Sequence, residues 1–255
     1  MANGLAGIEV AGQNITIGGT TTAAANVISG NKAAGISFDA TAAGTLVQGN
    51  DIGTQAGGTL PLGNGTFGVI AAGNNNTIGG ALSGAANVIA FNPQGGIDVL
   101  AGSGNTLAHN SIFANGSSQH GPGIVLTPGA NNNQPAPVLK TATYNTTNQT
   151  LTVTGTLTAK ASTAFTLEFF CNPTGDPEGR IFLGSQTVTT NSAGTVNFTF
   201  TLKTTLVNSN PLITATATDP NGNTSAFSAG IIDPPASPRK IMQHRVYGEF
   251  GIKWY

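Results

Sequence analysis

The apolar positions in the first half of the chain keep returning to one short pattern, a Gly followed by three alternating residues. It reads GIEV from Gly7, GISF from Gly35, GVIA from Gly68, GIDV from Gly96 and GIVL from Gly123, at intervals of 28, 33, 28 and 27 residues. In such a strand the second and fourth residues point one way and the third the other. Ile8 and Val10 therefore face inward, and Glu9, Ser37, Ile70, Asp98 and Val125 form an outward column. Further apolar pieces separate the Gly-headed strands: ITIGG and NVISG, then TLVQGNDIG, then TIGG and NVIAF, then TLAHNSIF. Strands this short cannot bury an apolar face alone, but stacked units can, which is the logic of a solenoid.

A second regularity supports stacking. Gly7–Asn31, GIEVAGQNITIGGTTTAAANVISGN, is echoed 61 residues later by Gly68–Asn92, GVIAAGNNNTIGGALSGAANVIAFN. Because a further Gly-headed strand, at Gly35 and at Gly96, follows each copy, 61 residues span two coils, and the echo is a superperiod of two coils rather than a duplicated domain. A β-sandwich with turns every 8–12 residues would explain neither the echo nor the Asn that recurs beside the strands. In a stack those Asn side chains can hydrogen-bond to one another from coil to coil, and Asn tolerates left-handed corners. The N-x-T-I-G-G and N-V-I-S-G-N segments resemble the right-handed parallel β-helix repeat proteins of bacterial surfaces. The resemblance covers about half the chain and implies a right-handed parallel β-helix of about five coils over residues 1–133.

At Ala130–Val138, ANNNQPAPV, the pattern breaks, and residues 134–137 read as a linker. Beyond it the chain alternates with period two and is rich in Thr. VLKTATYN (138–145), QTLTVTGTLTA (149–159), TAFTLEFFCN (163–172), IFLGSQTVTTN (181–191), GTVNFTFTL (194–202), PLITATATD (211–219) and TSAFSAGI (224–231) are seven strand candidates. Asn221–Gly222 is a strong hairpin signal. Seven short strands predict an antiparallel, immunoglobulin-like sandwich over 138–233. FTLEFFCNPTGDPEGRIFLGS and ITATATDPNGNTSAFS resemble the domain that follows such β-helices in many bacterial surface proteins. Residues 234–255, PPASPRKIMQHRVYGEFGIKWY, belong to neither half and read as a basic aromatic tail, expected to be disordered.

Composition narrows the function. Charged residues are 7 % of the chain, against about 25 % in typical soluble domains. Gly, at 36 of 255 residues, points to many tight turns. A net charge of −1 gives no footprint for nucleic acid, and no apolar run approaches the roughly 20 residues of a spanning helix. Cys171 is the single cysteine, so no intrachain disulfide and no cysteine metal cluster forms; it reads as a small strand residue. The N-terminus enters directly into a repeat without the features of a signal peptide. Met1 is therefore expected to lie inside a longer natural gene.

The charged residues of 1–133 are Glu9, Lys32, Asp39, Asp51 and Asp98. With coils about 4.8 Å apart, Glu9 and Asp98 would stand roughly 14 Å from each other, too far for the carboxyl pairs of glycoside hydrolysis, about 5–9.5 Å apart. Asp39, two residues beyond Ser37, would come within about 8 Å of Glu9, with Lys32 near in sequence. If the chain is an enzyme, these three are its catalytic candidates; otherwise they are solvated charges. His109 and His120 have no neighbouring ligands for a metal, and Ser117, Ser118 and His120 lack a strained elbow and an orienting acid. Asp219–Asn221–Asn223 begins like a calcium loop but lacks its Gly and Glu at the required positions. Related surface sandwiches use interdomain cations, so the resemblance makes Asp176, Glu178 and Asp219 candidates for calcium, the one cofactor considered. The expected function is a non-catalytic, secreted or cell-surface structural or adhesion module with polysaccharides or surface proteins as partners. The alternative is a polysaccharide lyase or hydrolase on the outer face of the β-helix.

Overall fold

The computed structural model describes residues 3–117, 121–205 and 211–232. Ser118, His120 and the tail from Pro234 lie outside the described residues. The first coil comprises β1 (Ile8–Val10), β2 (Thr16–Gly18) and β3 (Val27–Ile28). The second has β4 (Ile36–Phe38), β5 (Leu46–Gln48) and β6 (Asp51–Ile52). The third has β7 (Phe67–Ala71), β8 (Thr77–Gly79) and β9 (Val88–Ala90), and the fourth β10 (Gly95–Val99), β11 (Thr106–Ala108) and β12 (Ser111–Phe113). A last strand, β13 (Ile124–Leu126), continues the first sheet alone. Like strands stack in parallel into three sheets, β1-β4-β7-β10-β13, β2-β5-β8-β11 and β3-β6-β9-β12. Instead of five full coils, about four are closed, and the fifth Gly-headed strand only caps the first sheet. The longer interval from Gly35 to Gly68 holds an excursion after β6, pinned where Thr54 bridges Pro61.

The register of the first sheet is the one its sequence predicts. Ile8, Ile36, Val69, Ile97 and Ile124 align on one side, and Glu9, Ser37, Ile70, Asp98 and Val125 on the other. The aligned Ile and Val residues fill the interior with Ile17, Val47, Ile78, Leu107, Ile28, Ile52, Ile89 and Ile112 from the other two sheets. The Gly heading each strand of this sheet is forced by contact. A Cβ on Gly35 would stand 2.6 Å from the Gly68 carbonyl oxygen, and one on Gly96 2.5 Å from that of Gly123.

Asn ladders occupy the corners. At the corner before each Gly-headed strand, the Nδ2 of Asn31 donates to Oδ1 of Asn64 (2.8 Å), Asn64 to Asn92 (3.0 Å) and Asn92 to Asn115 (3.0 Å). Between the second and third sheets, Asn26, Asn50, Asn87 and Asn110 do the same at 2.9, 3.0 and 2.9 Å. At the remaining corner Asn76 donates to Asn105 (3.0 Å), whose backbone N–H reaches Oδ1 of Asn131 (3.0 Å). The backbone N–H of each ladder residue also donates to the next Oδ1, as Asn50 does to Asn87 at 3.0 Å. The sharp turn comes from the preceding residue, which is left-handed at Gly30, Gly49, Phe91, His109 and Ala114. Thr45 stands where the third ladder would extend; its N–H reaches Asn76, but its buried hydroxyl has no partner among the described residues.

The second module is an antiparallel sandwich around its own core. β14 (Val138–Asn145), β15 (Thr150–Thr158) and β18 (Thr195–Lys203) form one sheet. β16 (Ala164–Asn172), β17 (Ile181–Thr189), β19 (Leu212–Thr218) and the two-residue β20 (Ile231–Ile232) form the other. Leu151, Val153, Phe165, Leu167, Phe169, Phe198, Phe200 and Ile213 lie between them, with Cys171 buried among them as a strand residue. Burial pushes its thiol pKa up. The expected strand at 224–231 is corrected: only Thr224 bridges to Thr218 before β20 begins. In place of a regular ladder, Ser225 and Ser228 follow β19, their hydroxyls accepting the Ala217 and Ala215 N–H groups at 2.9 and 3.0 Å. The turn at Asn221–Gly222 forms as expected, with Gly222 at φ 85°.

Asn87 is fully buried and accepts two hydrogen bonds from Asn50 while donating to Val47 O and Asn110. Asn87→Ala strands these partners and is expected to cost roughly 2–4 kcal/mol. Equilibrium denaturation checks this against Asn197→Thr at an exposed position of β18, expected to stay within about 0.5 kcal/mol.

Candidate functional site

The outer face of the first sheet was the sequence candidate for catalysis. Glu9 is exposed on β1 and opposite Ser37. Asp39 lies just past β4, where its Oδ1 accepts both the N–H and the hydroxyl of Thr41 at 2.7 Å. Those bonds hold its pKa below the ordinary carboxylate value, the wrong direction for a general acid. Lys32 is exposed beside Asn31, its N–H bonded to Asn3 O. No ion pair among the described residues joins Glu9, Lys32 and Asp39. Asp98 stands in the same outward column, yet it is buried. It is 9 % exposed between Ile70 and Val125, and its Oδ1 has no hydrogen-bond partner among the described residues. Burial raises its pKa.

The ionisable groups that the fold does gather lie where the sandwich meets the last coil. Beyond β11 and β12 no further coil arrives to accept the free corner N–H groups, and the sandwich supplies the acceptors. Glu168 of β16 accepts the His109 N–H at 3.0 Å, and Asp176 accepts that of Ala114 at 3.0 Å. Glu178 accepts the Asn115 N–H at 2.8 Å and its Nδ2 at 2.7 Å, ending the Asn31 ladder with a carboxyl in place of an amide. Asn223 Oδ1 takes the Gly104 N–H (2.7 Å) and Thr224 Oγ1 that of Leu107 (3.0 Å). Ile112 and Gly179 exchange two backbone bonds of 2.9 Å, and the Arg180 guanidinium lies over the Phe113 ring at 4.6 Å. Phe227 packs against the solenoid core and stands where a Cβ on Gly123 would project, the space a next coil would take.

This docking explains the two-sided burial of β16 and β19. Phe165, Leu167 and Phe169 enter the sandwich core, while Glu168 and Phe170, of opposite parity, lie against the solenoid end and Phe227. Burial raises the Glu168 pKa, and the bond from the His109 N–H together with the His109 charge partly offsets it. Among the described residues His109 Nδ1 has the Gly80 carbonyl as its partner at 3.1 Å, a contact in which the nitrogen donates, while Nε2 lies 3.2 Å from Glu168 Oε1. Burial first, and then the neighbouring Asp176 charge, push Glu178 up to about 8 against the pull of Asn115.

Of the three calcium candidates, the structure brings Asp176 and Glu178 together on the loop between β16 and β17. Asp219 instead closes its own turn, accepting from the N–H groups of Asn221 and Asn223 (both 2.9 Å) and from Asn223 Nδ2 (2.8 Å). Among the described residues no group of three or more His, Cys, Asp or Glu could hold a metal. Calcium takes six to eight oxygens. At Asp176 and Glu178, three of the four carboxyl oxygens already accept N–H bonds, and the Glu178 carbonyl accepts from Asn172 and Thr214. The donor set does not fit calcium. Glu168 escaped the sequence reading, although one charge inside the apolar run FTLEFFCN was a signal, since a buried carboxylate needs a partner.

Comparison with protein-family models finds none that matches the chain, and a search of curated proteins returns no match. Among the described residues no helix is long and apolar enough to cross a membrane.

Asp98 gives a pH-dependent test. Its folded pKa lies above the unfolded value, so its contribution is most favourable below the unfolded pKa and declines as pH rises through the folded one. Asp98→Val removes the buried charge and is expected to stabilise the protein by about 1 kcal/mol at neutral pH. Denaturant titrations should show that gain shrinking as the pH is lowered towards about 4.

Proposed function

We propose that the protein is a non-catalytic structural or adhesion module of a bacterial secreted or cell-surface protein. Its solenoid is read as right-handed and its sandwich as immunoglobulin-like, and its polar faces would contact glycans or other surface proteins. One observation carries the reading. The carboxylates that come together, Glu168, Asp176 and Glu178, are buried and hydrogen-bonded to the last coil, joining two rigid modules. The resemblance of N-x-T-I-G-G and N-V-I-S-G-N to bacterial surface repeats supports the same reading, as does the engagement of Asp39 by Thr41.

The competing reading, a polysaccharide lyase or hydrolase, makes Glu9, Asp39 and Lys32 its working groups. Turnover measured on a panel of neutral and anionic polysaccharides separates the two. The expected result is no cleavage by the wild-type chain and the same baseline for Glu9→Gln and Asp39→Asn. Cleavage that either substitution abolishes would sink the scaffold reading. Glycan-array binding without turnover would make the module a lectin-like adhesin, and silence on the array would make it a spacer.

A further inference from the structure

Asp176 and Glu178 pose a charge problem that no cation among the described residues solves. Asp176 is 5 % exposed and Glu178 fully buried. Asp176 Oδ2 takes the Ala114 N–H, and the two oxygens of Glu178 take the N–H and Nδ2 of Asn115, so Asp176 Oδ1 alone is left without a donor. Arg180, the cation on the same loop, lies over Phe113 and makes no ion pair among the described residues. On the facing coil, His109 is engaged by Glu168 of β16. From β19 the contact is the Thr214 hydroxyl, and from the segment after it the Phe227 ring, neither of them charged. Two carboxylates side by side in such a site cannot both stay ionised, and one oxygen without a donor is what a neighbouring carboxylic acid O–H would satisfy.

We infer that Asp176 and Glu178 share a single proton in place of a bound cation, and that this proton latches the sandwich to the end of the solenoid. With the proton present, the pair carries one negative charge, faces three N–H donors and has every oxygen engaged. Without it, two adjacent charges repel inside the junction, and the contact to Ala114 and Asn115 weakens. The direction for Glu178, up to about 8 through burial and then Asp176, agrees with this geometry. The sign follows from linkage. The folded pKa is above the unfolded one, so the stabilisation is complete below the unfolded value, declines as pH rises, and is lost above the folded value.

The test is thermal unfolding of the full chain across pH, with Asp176→Asn. An amide at 176 can accept from Ala114 through Oδ1 and donate to Glu178 through Nδ2, reproducing the protonated pair at every pH. The wild-type midpoint is expected to fall by several degrees between about pH 5 and pH 8. In Asp176→Asn that fall should flatten, leaving the variant more stable than wild type at the alkaline end. An unchanged slope in the variant overturns the proposal. So does a wild-type midpoint that rises with added calcium or falls with EDTA at neutral pH, because a cation would then hold the pair. Should the variant fail to fold, hydrogen exchange on the wild type decides. Corrected for intrinsic rates, protection at the Ala114 and Asn115 amides should drop above about pH 8 while that at Asn87 holds. Equal loss at all three overturns the latch.

Discussion

A chain that turns three corners per coil leaves backbone N–H groups at each corner with no strand to accept them. Buried donors without partners are costly, so a solenoid this thin must answer that demand at every level of the stack. Asn answers it with one side chain, whose oxygen accepts from the coil before while its amide reaches a carbonyl or the next Asn. Each ladder residue therefore depends on the next, and stability is shared along the stack as in other nearest-neighbour repeat architectures. The Gly at the head of each first-sheet strand belongs to the same constraint, because the ladder amide and the next carbonyl occupy the space of a side chain.

This dependence decides what happens at the end of the repeat. The fourth coil has the same corner groups as the others, but only β13 follows it and its second and third sheets have no successor, so the sandwich presents carboxyl, hydroxyl and amide oxygens at matching points. The two modules have separate cores, yet Phe227 of one packs into the core of the other. The scarcity of charge in the chain acquires a structural meaning here. At this junction three acidic side chains serve as hydrogen-bond acceptors for the backbone of the last coil, where a strong acceptor is worth more than a neutral one.

Much of this could be read from the sequence, for identifiable reasons. The Gly-headed strands announced their own register because the Gly, the inward Ile and the outward residue each recur once per coil. The strands from Val138 to Thr218 were legible because Thr and apolar residues alternate with the pleat. The segment 224–230 was misread because its serines and threonine imitate strand alternation while their hydroxyls replace backbone partners. The burial of Asp98 was not legible, because whether an outward position is covered depends on what packs over it, which spacing along the chain does not encode. Glu168 was hidden for the same reason: its partner, His109, is 59 residues away in the other module. The site candidates Glu9, Lys32 and Asp39 were placed by arithmetic on an ideal strand, whereas β4 ends at Phe38 and Asp39 turns to Thr41.

The ladders have a direction. Every Nδ2-to-Oδ1 bond between ladder side chains among the described residues runs from an earlier coil to a later one, so the stack is a vectorial object with two chemically unlike ends. The late end is rich in unspent donors and can be closed by oxygen atoms; the early end presents acceptors such as Asn26 Oδ1 and needs the opposite chemistry. A terminator built of carboxylates is thus specific to one end. Coils could be gained or lost from the middle of such a stack without altering its closure, and the length of the rod would change while its final seal stayed the same.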